Sequence, residues 1–170
     1  LETVFEAIFI VSALWLAWTF VGYPVGIRIL ARHLARPAPA GTERADLPFA
    51  ALVISAYNEE RVILDKLMNA LSLDYPEDRL SIWVSSDGST DMTNAVVRRW
   101  AEISPRIHLL AYEENRGKTR ALLDTVRRLP PHVNVIVLSD ANGMYRRDAL
   151  KWLLRHFGDP NVGCVAGELR

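Results

Sequence analysis

The sequence predicts an α/β fold, in which helices cover both faces of a mainly parallel β-sheet, preceded by one transmembrane helix. Short apolar runs alternate with stretches of helical periodicity, the order that builds parallel sheets. A long uncharged run lies near the start of the chain, and polar clusters follow the apolar runs. Parallel sheets bind ligands outside the carboxyl ends of their strands, so those clusters are the first candidates for a site.

The uncharged run extends from Ala7 to Ile27, and about 20 such residues are enough to cross a bilayer as a helix. A cleaved signal peptide would begin with positive charge, whereas here the acidic Glu2 and Glu6 come first. A helix buried in a soluble core would be apolar on one face, but this run is apolar all round. The run is therefore interpreted as a membrane anchor.

Arginines follow the anchor at positions 28, 32 and 36, which by the positive-inside rule places the remaining chain in the cytoplasm. We expect residues 1–30 to anchor the protein in the inner cell membrane. Residues 31–47 are interpreted as a basic juxtamembrane segment and linker, and residues 48–170 as the folded domain.

Lysine plus arginine equals aspartate plus glutamate, at 20 each, so net charge gives no reason to expect a nucleic-acid partner.

Within the domain, apolar runs predict five strands and helical spacing of apolar residues predicts four helices. The predicted strands are 49–55, 80–85, 107–111, 133–138 and 162–166. The predicted helices are 61–71, 90–103, a stretch that ends at 129 before two prolines, and 146–157. Ser89 or Thr90 is the expected cap of the second helix. The single cysteine, Cys164, lies in the fifth predicted strand, and we expect it to be a small buried residue.

Four polar clusters follow the first four predicted strands. They comprise residues 56–60, 86–91, 113–119 and 140–142. Each alone has an ordinary interpretation as a turn or a helix cap, but parallel strands bring all four to one rim. The segment Gly117-Lys118-Thr119 resembles the end of a phosphate-binding P-loop. Tyr112 stands where that motif requires a glycine, so a P-loop enzyme is disfavoured.

Taken together, these clusters resemble family 2 glycosyltransferases, and the preceding anchor resembles the membrane-bound polysaccharide synthases of that family. The matching segments are Val53-Ile54-Ser55-Ala56-Tyr57-Asn58-Glu59-Glu60, Ser86-Asp87-Gly88-Ser89-Thr90-Asp91, Asn115-Arg116-Gly117-Lys118-Thr119-Arg120-Ala121-Leu122 and Ser139-Asp140-Ala141-Asn142. The resemblance covers residues 48–170. It implies a GT-A fold with a Rossmann-like nucleotide-binding half and a nucleotide-sugar donor, usually a UDP-sugar.

The resemblance also implies roles for individual residues. Tyr57 and Glu59 would line the nucleoside pocket, Asp87 would accept a hydrogen bond from the base, and Lys118 would lie near the diphosphate. Ser86 stands where many relatives have a second aspartate, which is a mild departure because Asp87 is retained.

Asp140 and Asn142 occupy the outer positions of the family's DxD motif, which binds the ribose and a divalent metal, commonly Mg²⁺ or Mn²⁺. Asn142 is the more serious departure. An amide oxygen can ligate a hard cation but brings no charge, so metal affinity falls or depends more on the diphosphate.

The leading hypothesis is therefore transfer of a sugar from a nucleotide-sugar to a polysaccharide at the cytoplasmic face of the membrane. A polyprenyl-phosphate lipid acceptor and a noncatalytic, membrane-tethered nucleotide-sugar binder are the alternatives. Transfer needs a base that deprotonates the acceptor hydroxyl. In the family that acid comes later in the chain, so we expect the catalytic base to lie beyond Arg170 and residues 1–170 alone to transfer no sugar. The sugar, the linkage and processivity are not specified by the sequence.

Overall fold

The computed structural model describes residues 2–34 and 47–167, which belong to two compact units. One unit is the N-terminal helical segment and the other is the α/β domain. Most of the predicted linker lies outside the described residues. Its last residue, Leu47, is 2% exposed and packs in the hydrophobic core of the α/β domain.

Over residues 2–34, the N-terminal unit is one continuous helical segment with no buried side chain. It comprises α1 (Glu2–Ala17), a π-helical turn (Trp18–Gly22) and α2 (Tyr23–Leu34). The segment is long and apolar enough to cross a membrane, as judged by length and composition. At the π-turn the Thr19 hydroxyl donates to the Trp15 carbonyl oxygen at 2.8 Å, so this polar side chain is satisfied within the helix itself.

The α/β domain contains a four-stranded, fully parallel sheet with the strand order β3-β2-β1-β4. The strands are β1 (Ala50–Ala56), β2 (Leu80–Asp87), β3 (Ile107–Tyr112) and β4 (Val135–Asp140). The helices are α3 (Ile63–Leu71), α4 (Thr93–Ile103), α5 (Lys118–Val126) and α6 (Ala149–Leu154), with 3₁₀ turns at Glu77–Arg79 and Arg155–Gly158. The predicted α/β class is confirmed.

Alternate residues of the central strands face two different layers. Leu52 and Ile54 of β1 pack with Ile63 and Leu67 of α3 in the main core. On the opposite face, the Thr125 hydroxyl of α5 donates to Ser85 of β2 at 2.9 Å. The chain reverses direction across the sheet after β3, and right-handed crossovers then place α5 opposite α3 and α4. Helices on both faces are therefore confirmed.

The fifth predicted strand is absent from the structure. Residues 162–167 adopt no regular structure, and Cys164 is exposed rather than buried. An apolar run becomes a strand only when its backbone groups pair with a neighbour, and in the described residues this run pairs with none.

The cap predicted for the second domain helix is also wrong. The Ser89 hydroxyl accepts a hydrogen bond from the Asn58 amide, and α4 starts later, at Thr93. Asp91 is the residue whose carboxylate accepts from the Thr93 amide, at 3.0 Å. Asparagine and aspartate side chains commonly bond an amide two residues on, which explains why Asp91 rather than Ser89 serves this end.

Candidate functional site

The carboxyl ends of β1, β2 and β4 border an open cleft of about 340 Å³. Nine residues line it, namely Ser55, Ala56, Tyr57, Glu59, Asp87, Asn115, Lys118, Asp140 and Asn142. All six predicted site residues, at positions 57, 59, 87, 118, 140 and 142, are in this lining. The parallel sheet brings them together, since the carboxyl ends of adjacent strands lie at one edge.

Two loops on one side of the cleft are joined by reciprocal hydrogen bonds. The backbone N–H of Asn58 donates to the Ser89 hydroxyl at 3.1 Å. In return, the backbone N–H of Thr90 donates to the side-chain oxygen of Asn58 at 2.8 Å. The Glu60 amide donates to the Asp91 carboxylate at 3.0 Å. Asn58 has a φ of 54°, a left-handed conformation that asparagine tolerates better than most residues. Several polar residues of the sequence motifs thus serve to join the loops.

Asp87, the last residue of β2, is only 4% exposed. One of its carboxylate oxygens accepts a hydrogen bond from the Arg116 amide at 3.0 Å, which fixes the side chain and the loop before α5. Gly88 follows with a φ of 73°, and a Cβ atom there would lie 2.4 Å from the backbone nitrogen of Asn115. The two loops therefore approach more closely than any side chain at position 88 permits.

Tyr57 and Glu59 complete this side of the cleft. The Tyr57 side chain is 50% exposed, so one part of the ring is open to a ligand. The Glu59 amide donates to the Thr93 hydroxyl at 2.8 Å, and this bond fixes the backbone from which the Glu59 side chain extends to the cleft. We call the surface formed by Tyr57, Glu59 and Asp87 the inner wall.

Lys118, Asp140 and Asn142 form the other side of the cleft, which we call the outer corner. Lys118 begins α5 and Asp140 ends β4, and their side chains form an ion pair at 2.5 Å. Both side chains are more than half exposed, at 57% and 60%. The outer corner is therefore open to solvent, in contrast to buried Asp87.

Asp140 and Asn142 offer oxygen atoms, the donors that hard divalent cations prefer. Among the residues that the structure describes, no three His, Cys, Asp or Glu side chains group closely enough to hold a metal ion. A cation bound by Asp140 and Asn142 alone would need further oxygen ligands. Mg²⁺ sites in proteins ordinarily have only one or two protein ligands, and water and substrate phosphates supply the remaining oxygens. The donor set fits an ion that binds together with a diphosphate.

Lys66 of α3 is a residue of this region that the sequence motifs did not indicate. It is fully buried, and its ammonium group donates to the Ser139 hydroxyl at 2.7 Å and to the Gly143 carbonyl oxygen. Burial lowers the pKa of Lys66 to about 8, and the nearby Asp140 carboxylate offsets part of that effect. The available signal was its position on the apolar face of α3, where a lysine is unusual.

No residue of this chain is predicted to be the catalytic base. The resemblance to family 2 implies that the base comes later in the chain than Arg170, and the described residues end at position 167. That expectation stays a prediction. The six residues that the structure does bring together are candidates for binding, and none of them is assigned the role of the base.

Comparison with known proteins agrees with this architecture. A family model described as "Glycosyl transferase family 2" matches residues 51–170. A beta-monoglucosyldiacylglycerol synthase of Synechocystis is 26% identical over 89% of this chain and 33% of its own length. A poly-beta-1,6-N-acetyl-D-glucosamine synthase of Staphylococcus epidermidis is 27% identical over 76% of this chain and 30% of its own length.

A solved structure of the mannosyltransferase PcManGT from Pyrobaculum calidifontis, in complex with GDP-Man and Mn²⁺, superposes with a TM-score of 0.72. It is 32% identical to this chain, of which the match covers 89%, and 44% of the PcManGT chain is covered. The present chain spans about a third of the length of the curated relatives named above.

Proposed function

The chain belongs to glycosyl transferase family 2, and from that premise we propose that the protein transfers a sugar from a nucleotide-sugar donor to an acceptor at the cytoplasmic face of a membrane. The observation that carries the proposal is the cleft, where six residues from the family-like motifs line one continuous surface. Residues 47–167 would supply the donor-binding part of the enzyme.

The inner wall is proposed to bind the nucleoside. Asp87 is buried and held by the Arg116 amide, so its carboxylate is oriented before any ligand arrives. A base N–H that donates to it would form a charge-assisted hydrogen bond, worth about 1.5–3 kcal/mol in proteins. The exposed part of the Tyr57 ring can stack on the base, and Glu59 would line the same nucleoside pocket.

The outer corner is proposed to bind the diphosphate and a divalent metal ion. Lys118 would move from Asp140 to the diphosphate, and Asp140 with Asn142 would then hold Mg²⁺ or Mn²⁺. A bound divalent ion neutralises the charge that develops on the leaving diphosphate. Lys118 contributes to the same end because a cation at hydrogen-bonding distance stabilises an anionic leaving group.

We propose a UDP-sugar as the donor, because Asp87 can accept from the imide N–H of uracil. A GDP-sugar is the second candidate, and the specific observation in its favour is that PcManGT, the 32% identical mannosyltransferase, was solved with GDP-Man. Guanine also presents N–H donors to a carboxylate, so the geometry of Asp87 alone suits both bases.

A growing polysaccharide is proposed as the acceptor, in keeping with the poly-N-acetylglucosamine synthase among the relatives. A lipid acceptor is the alternative, favoured by the monoglucosyldiacylglycerol synthase that matches more of the chain. Polyprenyl phosphate is one such lipid. The helix of residues 2–34, which is long and apolar enough to cross a membrane, suits either acceptor. A noncatalytic, membrane-tethered nucleotide-sugar binder remains the third hypothesis.

Calorimetric titration of the 170-residue chain with UDP, GDP and ADP, each with and without MnCl₂, tests the donor site. We expect UDP to bind, to bind more tightly with Mn²⁺, and to exceed ADP. Tighter binding of GDP would replace the UDP-sugar with the GDP-sugar as donor, and no binding of either nucleotide would refute the nucleotide-sugar proposal.

A pair of lysine variants sharpens the test. Lys118→Met should weaken UDP binding by roughly tenfold, the effect of losing one hydrogen bond to a charged group. Lys151→Met is the matched control, since Lys151 pairs with Asp74 at 2.7 Å on the surface and is not part of the cleft lining. Equal losses in both variants would argue against a diphosphate contact by Lys118.

A further inference from the structure

Helix α3 holds the loop that carries the outer corner at two points. Lys66 bonds Ser139 and Gly143, the residues that flank Asp140 and Asn142 in sequence. One turn further along α3, the Asn69 side chain exchanges two hydrogen bonds with the Tyr145 backbone, at 2.8 and 2.9 Å. The candidate metal ligands Asp140 and Asn142 therefore lie on a segment that hydrogen bonds from α3 hold at both ends.

Lys66 is an unusual choice for the core. A buried ammonium loses its hydration, and a well-packed apolar side chain at such a position is often as stable or more so. Here the ammonium bonds two oxygens and lies 4.4 Å from the centre of the Tyr145 ring. All three partners belong to residues 139–145, which comprise the end of β4 and the loop that follows it. The lysine is thus directed at that loop.

The charge of Lys66 matters as well as its hydrogen bonds. The outer corner has one carboxylate, Asp140, with Lys118 beside it in the cleft and Lys66 beneath the loop. The other two carboxylates of the cleft lining, Glu59 and Asp87, belong to the inner wall. The positive charge of the cleft region is therefore concentrated at the outer corner, where it can attract an anion such as a diphosphate. The loop geometry that Lys66 imposes would therefore serve an ion that arrives with the diphosphate.

We propose that Lys66 is a positioning residue, whose buried ammonium holds the loop of residues 139–145 so that Asp140 and Asn142 face the metal–diphosphate group of the donor. This inference rests on the proposed function, since it assumes that the outer corner binds that group. Lys66 itself touches neither the donor nor the ion. Its effect is exerted through Ser139, Gly143 and Tyr145.

The test compares how much Mn²⁺ tightens UDP binding in the wild-type chain, Lys66→Met and Lys66→Arg. Methionine is unbranched and only one heavy atom shorter than lysine, without its charge, whereas arginine keeps the charge and the donors. We expect Lys66→Met to reduce the Mn²⁺-dependent gain in affinity at least tenfold while metal-free UDP affinity changes less than threefold. Lys66→Arg should restore a substantial part of the gain, and Lys151→Met should leave it unchanged.

A purely structural role predicts something different: both affinities would fall together and thermal unfolding would lose cooperativity. That result, or an unchanged gain in Lys66→Met, overturns the proposal. If Lys66→Met does not fold, Ser139→Ala decides, because it removes one partner and keeps the charge. A loss of about threefold in the Mn²⁺-dependent gain supports the proposal, and no loss overturns it.

Failure of the proposed function is distinguishable. A wild-type chain that binds neither UDP nor GDP refutes the donor site itself, and the role of Lys66 falls with it. A wild-type chain that binds UDP but gains nothing from Mn²⁺ keeps the donor site and overturns only the metal–diphosphate part, including Lys66. If GDP binds more tightly than UDP, the same comparison is made with GDP.

Discussion

The inner wall and the outer corner border the same cleft but are built in different ways. Asp87 of the inner wall is buried and bonded to the backbone of a second loop, and Gly88 beside it permits backbone contact. The Asp140 side chain of the outer corner is 60% exposed and pairs with an exposed lysine, Lys118. Asp87 of the inner wall thus takes part in the contacts that hold the domain together, whereas the side chains of the outer corner lie on its surface.

Because of this difference, substitutions in the inner wall and at the outer corner should have different effects on stability and on ligand binding. Changes in the inner wall disturb loops that also cap and join the sheet, so they should alter the free energy of unfolding together with binding. Changes at the outer corner remove exposed polar groups, which contribute little to stability, so they should alter binding alone.

Gly88→Ala should destabilise the domain by about 3 kcal/mol or more, because alanine adds left-handed strain and its Cβ would meet the Asn115 nitrogen at 2.4 Å. Chemical denaturation monitored by circular dichroism measures the change. Gly117→Ala is the matched control, since Gly117 has a φ of 88° but no atom within 4 Å of a Cβ. It should cost less than Gly88→Ala, because backbone strain without a clash amounts to about 1–3 kcal/mol. Similar losses in the two variants would mean that the loop contact at Gly88 contributes nothing.

Asp87→Asn should weaken UDP binding by roughly tenfold to a hundredfold, the range expected for a charge-assisted hydrogen bond. The amide oxygen can still accept from Arg116, so the loop contact is largely preserved. Titration calorimetry measures the affinity. Asp148→Asn removes a carboxylate outside the cleft lining and serves as the control. Undiminished UDP binding in Asp87→Asn would remove this carboxylate from the proposed nucleoside contacts.

Stability should rise with pH between about pH 8 and pH 10, and Lys66 is the cause. Burial lowers its pKa to about 8 in the folded domain, while the unfolded chain keeps the ordinary value of 10.5 and binds more protons in that window. The gain is about 2 kcal/mol at roughly 1.4 kcal/mol for each pKa unit. Asp140 and Tyr145 are the groups that face Lys66, and the Asp140 carboxylate partly opposes the shift.

Urea denaturation at three pH values in this window, with Lys66→Met as control, checks the prediction. The variant should lose most of the upward slope. Burial raises the pKa of Tyr75, which has the opposite consequence, since the unfolded chain then loses that proton first and stability falls above about pH 10. A wild-type slope equal to that of the variant would show that Lys66 does not titrate in this range.

The sequence predicted the parallel sheet and the convergence of four polar clusters for a common physical reason, and the resemblance to family 2 then indicated the six cleft residues within those clusters. Strand-end loops of an α/β domain converge, so the position of Asp87 or Asp140 after an apolar run is enough to place it at the rim. Asn58 and Asp91 were recognised as motif residues, but their bonds to the neighbouring loop depend on distances between segments about 30 residues apart, which a linear pattern does not contain.

Lys66 and the segment 162–167 show what could not be predicted. Helical spacing places Lys66 on the apolar face of α3, but only its tertiary partners show that the side chain is buried and which oxygens its ammonium binds. The apolar run around Cys164 has the composition of a strand, yet strand formation depends on a paired neighbour. Both cases concern long-range contacts, and local propensity gives no information about them.

Asn142→Asp is the smallest expected change and the one that bears most directly on the outer corner. A second carboxylate would add charge to the oxygen ligands, so Mn²⁺-dependent UDP binding should tighten by roughly several-fold. The same charge repels the diphosphate, so metal-free UDP binding should weaken slightly. The stability of the domain should hardly change, because exposed charges contribute little to it.

Asn161→Asp is the control for Asn142→Asp, since it adds the same charge at a residue outside the cleft lining. Opposite shifts of the two UDP affinities in Asn142→Asp, without either shift in Asn161→Asp, would assign Asn142 to the metal. Unchanged affinity with Mn²⁺ would instead leave Asp140 and the diphosphate as the ion's ligands. The outer corner would then act mainly through Lys118, and the contrast with the preformed inner wall would become sharper.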